Sequence, residues 1–120
     1  DAGLLYASLE ELLGKADKKR RVLYLETLRH TRPDPPQGYY DRLSRRLPEF
    51  ESYYEIHIFL DLMEKRDTAS SVVNEQVVRL LDGSTFLVAR RAFWFLEKQE
   101  LTEEQQQKVD AFRSRHQARL

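Results

Sequence analysis

Cysteine is absent from the 120-residue sequence, and this absence excludes disulfide bonds and thiolate metal sites. Long apolar runs are also lacking, since none approaches the ~20 residues that a membrane-spanning helix needs. No signal-peptide pattern opens the chain. We therefore expect an intracellular protein, cytoplasmic or nuclear, with no membrane partner.

The motifs of most enzyme classes are missing as well. No GxSxG, GxGxxG, HExxH or phosphate-binding glycine loop occurs, and the histidines His30, His57 and His116 fall on separate predicted helices. His57, Asp61 and Glu64 share one helical stripe, but a structural zinc site needs four ligands, which favours a polar stripe over a metal site. The sequence predicts no enzyme activity, no cofactor and no metal.

The chain also lacks an excess of either charge, because 20 Lys and Arg balance 20 Asp and Glu. Nucleic-acid binding usually depends on a basic excess, so the composition argues against nucleic acid as the main partner. Hydrophobic residues make up 41% of the chain, enough for a folded core at this length. We expect residues 1–120 to form a single all-α domain and, because the sequence begins at Asp1 without Met, to be a piece of a larger protein.

Capping and helix-breaking residues divide the chain into about seven predicted helices. The first has a capping box at Ser8 and Glu11 and a C-cap at Gly14. The others are predicted over 17–30, 38–47, 48–67, 72–81, 84–100 and 102–119, with starts at Asp17, Pro48, the DTASS segment, Ser84 and a Thr102–Gln105 capping box, and with RPDPPQG as a linker. No segment has a convincing strand pattern. The fold class is therefore all-α, a compact bundle or short array of about six to seven helices.

Three consecutive aromatic residues, Phe93, Trp94 and Phe95, lie on the helix predicted over 84–100. Consecutive helical residues point about 100° apart, so no single flat face buries all three. Leu87 and Trp94 fall nearly opposite the main apolar face, between cationic residues. Either Trp94 packs in the core of this domain, or this side of the helix docks a partner. The predicted partner-binding residues are Leu87, Arg90, Arg91, Trp94 and Lys98.

The densest run of charge is DKKRR at 17–21. With the cations of the next predicted helix it forms a candidate basic patch, made of Lys18, Lys19, Arg20, Arg21, Arg42, Arg45 and Arg46. Three interpretations stay open: a solvated face, a contact for an acidic protein, or a contact for nucleic acid. The segment RRVLYLE at 20–26 is echoed by RRAFWFLE at 90–97, but two copies do not establish a repeat architecture.

Together these features favour a non-enzymatic protein-interaction domain, a scaffold, adaptor or regulatory module that binds a short helical or acidic segment of another protein. The alternative is a nucleic-acid-associated helical domain that uses the basic patch at 18–21. The sequence specifies neither the identity of the partner nor the oligomeric state.

Overall fold

Several helices begin where the sequence supplies a side chain that can accept a hydrogen bond from the first turn. A computed structural model of the protein describes residues 2–15, 17–31, 38–66 and 69–120. The α-helices are α1 (Ala2–Lys15), α2 (Lys18–His30), α3 (Tyr39–Ser44), α4 (Tyr53–Arg66), α5 (Ser71–Val78), α6 (Leu80–Gly83), α7 (Phe86–Leu96) and α8 (Glu103–His116). Short 3-10 helices occupy Leu47–Glu49 and Gln117–Arg119. These residues contain no strand, so the predicted all-α class is confirmed.

Three of the predicted helix starts are confirmed by hydrogen bonds of their capping side chains. Asp17 Oδ1 accepts from the Arg20 amide at 2.9 Å, and Ser70 Oγ, within the DTASS segment, caps α5. Thr102 and Gln105 form the reciprocal pair that defines a capping box at the start of α8. Each of these caps is a contact over three residues, which explains why the local sequence reveals it.

Several predicted boundaries are wrong. Ser8 and Gly14 lie inside α1, so neither caps it. Pro48 belongs to a separate 3-10 turn, and the extended backbone at Phe50 separates this turn from α4, which starts at Tyr53. The cap of α7 is Thr85, one residue after the predicted Ser84.

The sequence pattern predicts one helix over 72–81. In the structure, a break at Arg79 divides this segment into α5 and α6. Residues 32–37 of the predicted linker RPDPPQG and the predicted helix end at Asp67 lie outside the described residues. The chain divides into two units, Asp1–Thr68 and Ala69–Leu120, and each is described by itself. The expectation of a single domain stays a prediction.

In the first unit, α1 and α3 run parallel. The ring of Tyr6 in α1 contacts that of Tyr39 in α3 at 5.0 Å. One turn further along both helices, Glu10 pairs with Arg42, 32 residues away in the sequence. A side chain at Gly14 would meet the Arg46 guanidinium at 3.0 Å, so this glycine leaves room for the arginine.

Helices α2 and α4 repeat this register. Arg21 near the start of α2 pairs with Glu55 near the start of α4, and Arg29 near the end of α2 pairs with Asp61. The two helices therefore also run parallel.

The second unit shows a similar separation between paired helices. The Gln105 side chain of α8 donates to the Ser71 carbonyl of α5, 34 residues earlier, and Arg115 pairs with Asp82, 33 residues earlier. Helices α7 and α8 run antiparallel, because Phe93 contacts Phe112 while Phe86 contacts His116. The core of this unit lies between these helices, with Val73, Val77, Phe93, Leu96, Val109 and Phe112 almost fully buried.

Candidate protein-binding surface

Of the three consecutive aromatic rings of α7, two lie in the core and one lies at the surface. Phe93 is 2% exposed and Phe95 is fully buried, whereas Trp94 between them is 40% exposed. The division follows from the 100° step between helical residues, because the main apolar face of α7 already includes Phe93 and Leu96. Trp94 is therefore a surface residue whose ring is partly covered.

Leu87 and Trp94 lie on the same side of α7, two turns apart. Leu87 is 57% exposed. Arg90 lies between them along the helix, and its guanidinium carbon is 4.8 Å from the centroid of the Trp94 ring. This distance is typical of a cation–π contact, which holds both side chains against the helix.

The remaining two predicted residues of this site differ in their accessibility. Lys98, just after α7, is exposed. Arg91 is only 7% exposed, so it belongs to the interior of the unit and does not frame the exposed tryptophan. We use the term α7 surface for the accessible residues Leu87, Arg90, Trp94 and Lys98.

The residues of the candidate basic patch lie in different environments. Arg21 is buried and its guanidinium lies 3.2 Å from the Glu55 carboxylate and 3.6 Å from that of Glu51. Glu55 is itself fully buried and accepts hydrogen bonds from the amides of Glu51 and Ser52. Arg21 therefore joins α2 to α4 and is not an accessible cation.

Two of the α3-side arginines are also engaged with the rest of the first unit. Arg42 pairs with Glu10 at 3.4 Å, and Arg46 pairs with Glu49 at 3.5 Å. Lys19, Arg20 and Arg45 are exposed, and the side chain of Lys18 lies outside the described part of the chain. Local acidic residues thus neutralise a large share of the predicted patch.

The polar stripe of α4 has a structural explanation. Asp61 pairs with Arg29 of α2 at 3.0 Å and with Lys65 at 3.5 Å, while the His57 ring stacks on that of Tyr53. Among the described residues, no three His, Cys, Asp or Glu side chains are grouped so that they could hold a metal ion. Within the stripe, Asp61 joins α4 to α2, and His57 contacts a ring of α4 itself.

A cleft of about 560 Å³ in the first unit is lined by the first turns of α2 and α4. Its walls include Lys19, Val22, Ser52 and Tyr54. The α7 surface is the stronger candidate, because its arginine lies directly against its exposed ring.

The partner-binding residues predicted from the sequence did not include Phe86 or Arg119. Phe86 is half-buried at the start of α7, and the Arg119 guanidinium carbon lies 3.6 Å from its ring centroid. The spacing of Phe86, Arg90 and Trp94 by four residues is the signal that identifies the first of them, because such residues share one helix face. No local signal could identify Arg119, which reaches the site from a different element.

Comparison with known proteins gives no relative: no protein-family model, curated protein or solved structure matches this chain. None of the helices described in the chain is long and apolar enough to cross a membrane.

Proposed function

We propose that the protein is a non-enzymatic interaction domain whose α7 surface docks a short, acidic, amphipathic helical segment of another protein. The observation that carries this proposal is the exposure of Leu87 and Trp94 on one side of α7 with Arg90 against the indole ring. Tryptophan and arginine are enriched among the residues that dominate interface energies. An exposed aliphatic and aromatic pair also carries a hydration cost that a partner would remove.

The preference for an acidic partner rests on charge. Arg90 has no acidic partner among the described residues, and its guanidinium is held against the exposed Trp94 ring. A helical partner fits because Leu87 and Trp94 are about 10 Å apart along the helix axis, the spacing of apolar side chains at i and i+7 on a partner helix. Carboxylates beside such apolar residues would meet the cations of the α7 surface.

The alternative of nucleic-acid binding has less support. Arg21, Arg42 and Arg46 are engaged with acidic residues of the same unit, which lowers the positive potential that phosphates would meet. We expect no binding of a 20-nucleotide single strand at ~0.15 M salt. Micromolar binding that is lost when Lys19 and Arg20 are changed to Ala would favour the alternative instead.

The test is a selection of random 16-residue peptides displayed on phage against the purified protein, followed by affinity measurements on the wild type and on Trp94→Ala. We expect the selected peptides to carry apolar residues at helical spacing and an excess of Asp and Glu. Trp94→Ala should weaken their binding about thirtyfold or more, since a hot-spot tryptophan contributes roughly 2 kcal/mol. Tyr54→Ala is the matched control, because Tyr54 is 54% exposed and lies in the other unit.

Because Trp94 is the only tryptophan of the chain, its fluorescence reports directly on this surface. A bound apolar segment should remove water from the indole ring and shift its emission to shorter wavelength. The proposal is overturned if selection yields no peptide whose binding depends on Trp94, or if the selected peptides are predominantly basic.

A further inference from the structure

Cations and rings alternate along one edge of the second unit. Arg119 lies 3.6 Å from the centroid of the Phe86 ring, Arg90 lies 5.7 Å from the same centroid, and Arg90 also lies 4.8 Å from the Trp94 ring. The order along this edge is therefore Arg119, Phe86, Arg90 and Trp94. Helix α7 supplies three of these side chains, and the 3-10 helix that follows α8 supplies the fourth.

We call these four side chains the ladder. Its two arginines differ from the arginines of α8 in their ion pairs. Arg115 pairs with Asp82, and Arg113 pairs with both Glu97 and Asp110. Arg90 and Arg119 have ring contacts but no carboxylate partner among the residues that the structure describes. Two like charges are thus held beside one another without a counter-charge.

The positions of the two guanidinium groups limit the size of the anion that could bridge them. Both guanidinium carbons lie close to the same Phe86 centroid, at 3.6 and 5.7 Å, so the two carbons are no more than about 9 Å apart. The N–H donors of a guanidinium lie in its own plane, so a contact through its flat face leaves those donors available. Carboxylates at i and i+4 of a helix, whose Cβ atoms are about 5 to 6 Å apart, span such a distance.

We propose that Arg90 and Arg119 form an anion subsite that binds a pair of carboxylates spaced one helical turn apart on the docked segment. This inference rests on the proposed function, and it adds Phe86 and Arg119 to the surface and a carboxylate spacing to the partner. A peptide fits the ladder better than a nucleic acid does. Arg119 and Arg90 cover faces of the rings on which bases would otherwise stack.

The test uses hexaglutamate, which has no apolar side chains and therefore probes the subsite without the rest of the docking surface. In the ¹⁵N-labelled protein, the Nε–Hε resonances of the arginines report on individual guanidinium groups. We expect those of Arg90 and Arg119 to shift together and with a common affinity. Arg90→Gln or Arg119→Gln should each weaken binding about threefold to tenfold, the range for one exposed charge-assisted contact.

Lys108→Gln is the matched control, because it removes the same charge from an exposed position of α8 that is paired with Glu104. The subsite is refuted if hexaglutamate shifts the arginine resonances of α8 uniformly, or if the Arg90→Gln/Arg119→Gln double variant binds it as tightly as the wild type. Tighter binding of a phosphoserine peptide or an oligonucleotide at the same two resonances would also overturn the assignment to carboxylates. Failure of the peptide selection would overturn the docking proposal and leave the hexaglutamate result unaffected.

Discussion

Removing one partner of the buried pair of Arg21 and Glu55 should be one of the most destabilising single changes in the first unit. Glu55 is fully buried, lies 3.2 Å from the Arg21 guanidinium, and accepts hydrogen bonds from two backbone amides. Glu55→Gln would keep an acceptor oxygen for the amides but would leave the Arg21 charge without its closest counter-ion. Breaking a buried pair in this way costs about 3 to 5 kcal/mol.

The expected cost is at the lower end of that range, about 3 kcal/mol, because Glu51 remains 3.6 Å from the Arg21 guanidinium and is mostly exposed. Arg21→Met should be similarly costly, since it leaves a buried carboxylate. The double variant should cost less than the two single variants together, by about 1 to 3 kcal/mol, because it removes both charges at once.

Urea denaturation monitored by circular dichroism at 222 nm measures all four free energies of unfolding. An exposed pair provides the comparison: Asp110→Asn removes the partner of Arg113 on the surface of α8 and should cost less than about 1 kcal/mol. If the costs of Glu55→Gln and Arg21→Met simply add in the double variant, the two groups do not interact energetically and the reasoning is refuted.

Two further predictions concern Tyr39 and the domain organisation. Burial, and secondarily Glu10, raises the pKa of the Tyr39 hydroxyl above its ordinary value, so the contribution of Tyr39 to stability is complete below pH ~10 and is lost at higher pH. Tyr39→Phe should therefore reduce the loss of stability at alkaline pH that urea denaturation measures. An unchanged dependence of stability on pH in this variant would contradict the prediction. If the chain is a single cooperative domain, unfolding followed by Trp94 fluorescence and unfolding followed by circular dichroism should have the same midpoint. Glu55→Gln should then lower the midpoint measured by each probe. Separate midpoints would contradict the single-domain expectation.

Helix starts that depend on one local side chain could be predicted, but the same pattern also misleads. Ser8 and Glu11 have capping-box spacing and lie inside α1, because the residues before Ser8 already continue the helix. Ser52 and Glu55 have the same spacing and do cap α4, with hydrogen bonds in both directions. The deciding feature is the extended backbone at Phe50, which ends the preceding 3-10 turn. Local spacing identifies possible caps, and the backbone before them selects the actual one.

The parallel register of the helices was beyond the reach of sequence patterns. It depends on the ring contact of Tyr6 with Tyr39 in one helix pair and on the ion pair of Arg21 with Glu55 in the other, and these two contacts use different residue types. A repeat is detectable in a sequence only when equivalent positions keep similar residues several times over. Here the geometry recurs at separations of 32 to 34 residues in the first unit and 33 to 34 in the second, without recurrence of the residues.

The two sequence segments that do resemble each other show why neighbouring residues take opposite roles. In RRVLYLE the first arginine, Arg20, is exposed and the second, Arg21, is buried; in RRAFWFLE, Arg90 is half-buried and Arg91 is buried. A step of 100° cannot place two consecutive residues on one helix face, so an arginine pair at the edge of an apolar face sends one side chain inward.

The same step separates Trp94 from Phe93 and Phe95. A sequence can therefore show that one member of such a pair or triplet faces solvent, while the other helices of the unit decide which member it is. In α7 that choice leaves Arg90 and Trp94 outside, in contact with each other, because Phe93 and Phe95 already occupy the interior. The proposed docking surface is thus a consequence of how the core is filled, and a change that rotated α7 by one residue would remove the surface together with the core packing.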